Sequence, residues 1–145
     1  MPPSLISISA FICDRVLCEQ DHVFSAIRIV DVFFCPPLIP NVPPERQVIG
    51  IAIVILGKFL PGTDSSHRVQ LQLLRPDGDI TTIGEETVVK VTSSVAAAAG
   101  GFTMCGPVGV IPTQMGLHYL QVLLDGEEAT RTPFTLVPQT AVETQ

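Results

Sequence analysis

The sequence predicts an all-β fold, a single antiparallel β-sandwich of seven or eight strands. Short apolar stretches with alternating or β-branched character recur along the 145 residues, and turn residues separate them. No apolar pattern repeats with the 3.6-residue period of a helix. Two apolar stretches flank Asp125 and Gly126, which is the strongest short-range signal of a β-hairpin.

The length and composition indicate one folded domain. A chain of 145 residues buries roughly 70% of its unfolded surface, which is enough for a core without disulfides or metals. Hydrophobic residues make up 46% of the chain and charged residues 15%, so a disordered chain is excluded. We predict one sandwich domain over residues 1–137 and a flexible tail over residues 138–145, which lack apolar periodicity.

The charge pattern excludes nucleic acid as a partner. Eight Lys and Arg stand against fourteen Asp and Glu, and the basic residues are scattered, so a phosphate backbone would meet net repulsion. The longest apolar run, residues 48–56, is far shorter than the about 20 residues of a membrane-spanning helix, so no membrane span is predicted. The N-terminus has no signal-peptide pattern, and we expect a cytoplasmic protein.

The four cysteines do not form a metal motif. No C-x-x-C occurs and no His lies at zinc-site spacing, so no metal or other cofactor is predicted. In the cytoplasm the thiols would be reduced and buried as small apolar groups. A disulfide of Cys35 with Cys13 or Cys18 remains an open alternative.

The first elements follow from their residue patterns. Residues 5–13 alternate between apolar and polar, as in a half-buried strand, and residues 14–22 form a polar turn. Residues 23–34 are rich in β-branched and aromatic side chains and predict one strand with a bulge near its end. The prolines of residues 35–47 cannot donate to a ladder, so this segment crosses from one sheet to the other.

The second half of the chain also predicts strands separated by turns and loops. Residues 47–59 form a strand with apolar side chains on both faces, and residues 67–75 alternate again before a Pro-Asp-Gly turn. Residues 87–92 form a short strand. The Ala-rich residues 93–101 predict a mobile loop or a single turn. Residues 102–115, which contain Pro107 and Pro112, form at best an interrupted edge strand.

The start of the penultimate strand is similar to that of immunoglobulin-like domains. In those domains a Tyr at the position of Tyr119 bonds back to the backbone in a tyrosine corner. Gln121 stands where the antibody domains have Cys, and the chain has no Trp. These differences exclude an antibody-type domain and leave an immunoglobulin-like or C2-like sandwich with Greek-key connections.

Three blocks of sequence resemble a family of short, uncharacterised bacterial proteins, a domain of unknown function. The blocks are residues 10–31, residues 67–79 and residues 116–137, in that order along the chain. The resemblance implies a β-sandwich and a bacterial, cytosolic protein. It implies no activity and no catalytic residues.

The polar clusters are better explained as solvated turns than as sites. A cation loop would need ligands at regular spacing, which residues 14–22 lack. Serine catalysis needs a hydroxyl, an imidazole and a carboxylate that converge in space, and no G-x-S-x-G occurs. We therefore predict no catalytic residues. The clusters considered were Asp14, Glu19, Asp21 and His22; Asp64, Ser65, Ser66 and His67; Arg28; Glu85 and Glu86; and Glu127 and Glu128.

The strand of residues 48–56 is unusual because neither of its faces is polar. The outer face of a sandwich is ordinarily wet, so an apolar outer face predicts a cover, from a loop or from another protein. We expect an interface at Ile49, Ile51, Ile53 and Ile55. The predicted function is that of a non-enzymatic interaction or structural module, a homo-oligomer or a binder of a protein partner. The alternative is a small-ligand or metal-binding sandwich in which residues 14–22 and 64–67 gather at one end.

Overall fold

The computed structural model describes residues 2–18, 24–91 and 100–139, with the side chains of residues 18 and 24–28 left out. Within these ranges the chain forms two β-sheets, and a single 3-10 turn over Pro44–Arg46 is its only helical element. The all-β prediction is confirmed, with more strands than expected. They are β1 (Leu5–Cys18), β2 (Phe24–Ile29), β3 (Val32–Cys35), β4 (Ile49–Phe59), β5 (Ser65–Leu74), β6 (Ile80–Val91), β7 (Gly100–Val110), β8 (Gly116–Leu124) and β9 (Glu127–Pro138).

The two sheets share one apolar core. The four-stranded sheet has the order β2-β1-β4-β7 and the five-stranded sheet has the order β3-β9-β8-β5-β6. Alternate side chains of β4 and β8, such as Ile53 and Leu120, belong to the same buried cluster, together with Phe134 of β9. Each fully buried side chain of this kind contributes roughly 1.5–3 kcal/mol relative to an exposed one, so the alternation of the sequence is the main source of stability.

The closing hairpin is confirmed. Leu124 pairs with Glu127 across the turn. Asp125 and Gly126, the two turn residues, have positive φ values of 52° and 86°. Two positive φ values define a type I′ turn, whose twist matches that of the flanking strands. The Asp-Gly pair therefore sets the register of β8 and β9.

The prediction of one strand over residues 23–34 is wrong. β2 pairs antiparallel with β1 in the four-stranded sheet, whereas β3 pairs parallel with β9 in the five-stranded sheet. The chain changes sheets at Val30 and Asp31, and the Asp31 carbonyl accepts a hydrogen bond from the N–H of Thr135 at 2.7 Å. The fold therefore contains a parallel strand pair, which the antiparallel prediction did not include.

Of the two segments that flank β2 and β3, the one before β2 differs from the prediction and the one after β3 agrees with it. Residues 14–18, predicted as part of a turn, continue β1 and pair with β2, while residues 19–23 lie outside the described residues. The proline-rich crossing is confirmed, since β3 and β4 lie in different sheets. Within it the Gln47 side chain accepts from the N–H of Ile39 at 2.6 Å and donates to the carbonyl of Val42 at 2.9 Å.

The strand β7 is longer and more regular than predicted. Most of the predicted loop over residues 93–101 lies outside the described residues, but Gly100 already pairs with Phe59. Pro107 is tolerated because β7 is the edge strand of its sheet, where one side of the backbone has no ladder to complete.

Close packing of β4 on β7 depends on glycines. The Phe102 ring lies over Gly57, its cross-strand partner, where any Cβ would overlap it. A Cβ on Gly101 would collide with the backbone carbonyl of Gly57. Gly106, by contrast, faces the core opposite Ile53, and a Cβ there would have no heavy atom within 4 Å. It borders a space of about 130 Å³ that Leu71 also lines.

We expect opposite effects from alanine at these two positions of β7. Gly101→Ala should lower the free energy of unfolding by about 1–3 kcal/mol, because the backbone must shift to relieve the overlap. Gly106→Ala should raise it by about 0.4–1 kcal/mol, because alanine fits and restricts the unfolded chain. Urea denaturation of the two variants beside the wild type measures both changes. Equal effects of the two substitutions would contradict the described register of β4 and β7.

Candidate functional site

The isoleucine face of β4 is not an interface. Ile51, Ile53 and Ile55 are buried between the two sheets, and Ile49 packs partly buried against the same core. The strand is central in its sheet, so this face is covered by the opposite sheet. The expectation that these four isoleucines contact a partner is therefore corrected.

The opposite face of β4 carries the apolar surface that the sequence indicated. Ala52 and Val54, only 9% and 6% exposed, form a second, small buried cluster with Cys13 of β1. Leu56 and Val16 pack on it. We call this surface, the side of the four-stranded sheet that faces away from the core, the outer face. Its apolar cluster is separate from the core of the sandwich.

The flanking strands extend the outer face with exposed side chains. Phe11 of β1 and Cys105 of β7 both pair with Val54, and Pro107 pairs with Ala52. All three are exposed. An open groove of about 420 Å³ lies at one end of this surface, between residues 14–16 of β1 and residues 105–107 of β7. Gly50 and Ala52 line it, and their small side chains leave the space open.

Acidic groups are unevenly distributed over the two sheets. Asp14 is the one acidic residue in the sequences of β1, β2, β4 and β7. The strands and tight turns of the five-stranded sheet carry seven, which are Asp77, Asp79, Glu85, Glu86, Asp125, Glu127 and Glu128. The connection from β1 to β2 adds Glu19 and Asp21, so the difference holds for the strands: those of the four-stranded sheet carry fewer carboxylates than those of the five-stranded sheet.

The described cysteines are free thiols in different surroundings. Cys13 and Cys35 are buried, and burial raises the pKa of each thiol, with Asp14 and Cys105 adding to the effect at Cys13. Cys105 is exposed. A Cys13–Cys35 disulfide is not formed, since Cys13 lies in the outer-face cluster and Cys35 in the core. The side chain of Cys18 lies outside the described residues.

A second polar constellation lies where β5 begins, beside the closing hairpin. The Nε2 atom of His67 lies 2.8 Å from Ser65 Oγ, and its Nδ1 atom lies 2.7 Å from Asp125 Oδ2. Ser65 and His67 come together because they are two residues apart on one face of a strand. Asp125 is 58 residues away in sequence and is brought in by the pairing of β5 with β8.

The Asp125 carboxylate also takes part in the backbone ladder. Its Oδ1 atom accepts a hydrogen bond from the N–H of Arg68 at 2.9 Å, and its own N–H donates to the Arg68 carbonyl at 2.9 Å. Burial raises the pKa of Asp125, but the hydrogen bonds from Arg68 and His67 outweigh it and hold this pKa below the ordinary 3.8. The carboxylate is therefore ionised at neutral pH.

The imidazole of His67 is held on its face as well as at its two nitrogens. It is buried and stacks on the Phe59 ring, with 5.0 Å between centroids and 16° between planes. An ionised carboxylate at Nδ1 fixes the proton there, so Nε2 is left to accept from the Ser65 hydroxyl. In the sequence, Ser65 and His67 lie in one polar turn, and no pattern links them to Asp125, whose place the hairpin signal already explains.

The other predicted polar clusters are dispersed. Asp14 lies near the β4 end that begins at Ile49, whereas Ser65 follows the opposite end, so Asp14 and Ser65, one from each loop of the ligand-binding alternative, do not meet. Glu19, Asp21, His22 and the side chain of Arg28 lie outside the described residues. In the described part of the chain no three His, Cys, Asp or Glu residues are grouped to hold a metal ion.

The glutamate pairs lie on the exposed side of the five-stranded sheet. Glu128 holds Arg131 in a two-point ion pair of 2.6 and 2.9 Å, and this hydrogen bonding lowers the pKa of Glu128. The Arg131 guanidinium lies 5.3 Å from the centre of the Tyr119 ring. Tyr119 therefore faces outward beside His118, which is buried, and this differs from a tyrosine corner.

The strand arrangement decides the fold family. β9, β8, β5 and β6 are neighbours in one sheet and β1, β4 and β7 in the other, as are the G, F, C, C′ and A, B, E strands of immunoglobulin domains. The fold is immunoglobulin-like. No helix within the described ranges is long and apolar enough to cross a bilayer.

Comparisons with solved structures give matches of low similarity. An immunoglobulin-like protein from Pseudomonas aeruginosa matches 90% of this chain and 95% of its own, at 14% identity and a TM-score of 0.34. The alkylpurine DNA glycosylase AlkC of Pseudomonas fluorescens, bound to DNA with an abasic-site analogue, matches 88% of this chain at 14% identity and a TM-score of 0.39. This chain covers 30% of the glycosylase.

Neither a protein family nor a curated protein matches the sequence. The family that the sequence resembles is therefore not shown, and of what that resemblance implies only the all-β fold agrees with the structure.

The ionised Asp125 predicts a specific acid dependence of stability. Because its pKa is lower in the folded chain, its stabilisation is fully present above the ordinary value of 3.8 and is lost as pH falls through the folded pKa. Asp125→Asn, which cannot titrate, should show a shallower fall of unfolding free energy between pH 5 and acid. Urea denaturation over that pH range measures the unfolding free energy of each variant. Glu45→Gln, in the exposed 3-10 turn, is the control. An Asp125→Asn slope equal to that of the wild type would contradict the role given to this carboxylate.

Proposed function

We propose that this protein is a non-enzymatic interaction module of immunoglobulin-like fold that associates with a second copy of itself through the outer face. The observation that carries the proposal is the set of exposed side chains Phe11, Cys105 and Pro107 around the small buried apolar cluster, on a sheet surface that is ordinarily polar. We also propose a cytoplasmic location, supported by the free thiols, and a bacterial origin, supported by the sequence resemblance.

The distribution of charge favours the outer face as the surface on which a second copy binds. Two molecules of net charge -6 repel each other, and the repulsion is greatest where carboxylates face carboxylates. The strands of the four-stranded sheet carry fewer carboxylates than those of the other sheet, so contact through the outer face meets less repulsion than contact through the other sheet. Lys58 stands at one end of it and Arg15 at the other. A two-fold axis that passes near Val54 and runs across the strands would place the Lys58 end of one copy over the Asp14–Arg15 end of the other, which separates the two lysines.

The size of the face indicates weak and reversible association. Four strands at about 4.8 Å spacing and eight residues at about 3.3 Å rise give a flat area of roughly 500 Å². Stable interfaces bury about 800 Å² on each partner. We therefore expect a dimer that forms in the micromolar range and dissociates on dilution.

At β6 and β7, one edge strand of each sheet, the structure favours contact through a face over contact through strand pairing. β6, at the edge of its sheet, is interrupted between Ile83 and Thr87 by a bulge, where the side chain of Gln70 bonds the carbonyls of Ile83 and Gly84 at 3.2 and 3.3 Å. β7 contains Pro107. Bulges, charges and prolines on edge strands block the addition of a further strand.

Substitution of Phe11 should separate the copies. Phe11 is 38% exposed on the outer face, so Phe11→Lys places a charge in the proposed interface at little cost to folding. Sedimentation velocity should show a concentration-dependent dimer for the wild type and a monomer for Phe11→Lys. Leu117→Lys is the matched control, because Leu117 is 46% exposed on the other sheet and should leave the dimer intact. A wild type that is monomeric at every concentration would refute the proposal.

Cys105 provides an independent readout in the unmodified chain. Its exposed thiol lies on the outer face beside Val54 and should be shielded in the dimer. Alkylation by iodoacetamide, followed by peptide mapping, should slow at Cys105 as protein concentration rises. In Phe11→Lys the rate should be independent of concentration. Protection of Cys105 that is equal in both proteins would contradict the assignment of this surface.

A further inference from the structure

We propose that Ser65 is an activated nucleophile that accepts an acyl group from esters of acidic alcohols, with His67 as its general base and Asp125 as the group that orients the imidazole. This site is independent of the proposed interface. Ser65 lies on the five-stranded sheet, at the hairpin end of β5, whereas the outer face belongs to the four-stranded sheet. If self-association is not observed, the reactivity of Ser65 can still be tested, and the reverse also holds.

The hydrogen-bond order is the one that activation of a hydroxyl requires. The carboxylate bonds Nδ1 at 2.7 Å and the hydroxyl bonds Nε2 at 2.8 Å, so both ring nitrogens are engaged in the right sense. With the proton on Nδ1, the Nε2 lone pair accepts the hydrogen of Ser65. Such a constellation is recognised by geometry and roles, on any fold and in any sequence order.

The supporting contacts hold this arrangement without rearrangement. Asp125 is fixed by the type I′ turn and by the N–H of Arg68, which leaves its Oδ2 atom directed at His67. The Phe59 ring restrains the plane of the imidazole. Pre-organised groups of this kind need not be ordered during the reaction, so the base is in place before a substrate arrives.

Ser66 offers a comparison within the same strand. It is the next residue of β5, is exposed, and projects to the opposite face from Ser65 and His67. Ser66 is exposed and Ser65 half-buried, so better access cannot explain faster labelling of Ser65. Ser65 alone has the imidazole at hydrogen-bond distance, and faster labelling of Ser65 than of Ser66 therefore measures the effect of His67.

The reaction is an acyl transfer whose atoms balance within the named groups. Ser65 Oγ forms a bond to the carbonyl carbon of the ester while its proton passes to His67 Nε2. The bond from that carbon to the alcohol oxygen then breaks, and the proton moves from Nε2 to the departing oxygen. The products are an ester on Ser65 and the free alcohol. Asp125 stabilises the transient imidazolium, and an acidic alcohol such as a phenol departs most readily.

The test treats the full chain with p-nitrophenyl acetate and, separately, with a fluorophosphonate probe. Intact mass and peptide mapping should locate a single adduct on Ser65. Ser65→Ala should abolish it, and Ser66→Ala should react as the wild type does. His67→Gln should slow the labelling by about 100-fold or more, the usual contribution of a general base.

Three results would overturn the proposal. They are the absence of an adduct on Ser65, equal labelling of Ser65 and Ser66, and a rate that is unchanged in His67→Gln. Because His67 is buried, circular dichroism must show that the His67→Gln variant is folded. If it is not, the ratio of Ser65 to Ser66 labelling in the wild type decides, since that measurement alters no buried residue.

Discussion

The structure depends on the need to cover both faces of β4. Its isoleucines are buried by the five-stranded sheet, which makes this strand the centre of the main core. Its other face carries Ala52 and Val54, which are too apolar to meet water alone and are partly covered by Phe11 and Cys105 of the adjacent strands. The position of β4 between β1 and β7, the close glycine packing on β7 and the apolar outer face all follow from this requirement.

One residue of the closing hairpin, Asp125, has two structural roles. Asp125 adopts the positive φ of the turn, and its carboxylate also ends the β5–β8 ladder by accepting from Arg68. The same carboxylate satisfies one nitrogen of a buried histidine, which would otherwise be costly to remove from water. A turn residue thus determines the polar chemistry at this end of the sandwich.

Local patterns in the sequence were sufficient for the hairpin, for the alternating strands β5 and β8 and for the crossing between sheets. They were insufficient where the contact that determines the structure joins residues that are far apart in the chain. Asp31 interrupts the apolar run, but a single polar residue indicates a bulge as readily as a change of sheet. The pairing of β3 with β9, which decides between the two, is a long-range event. The link from His67 to Asp125 is equally long-range. The two apolar faces of β4 were recognised, but no residue pattern tells which of them meets the second sheet.

The parallel pairing of β3 with β9 has a consequence for biosynthesis. Val32 pairs with Thr135, 103 positions later in the chain. At a synthesis rate of about 5–20 residues per second, the backbone of β3 waits roughly 5–20 seconds on the ribosome before its partner exists. During that interval the apolar Phe33 and Phe34 have no sheet to join, and contacts of such high sequence separation form slowly. The first third of the chain is therefore the part that a chaperone would encounter in an unfinished state.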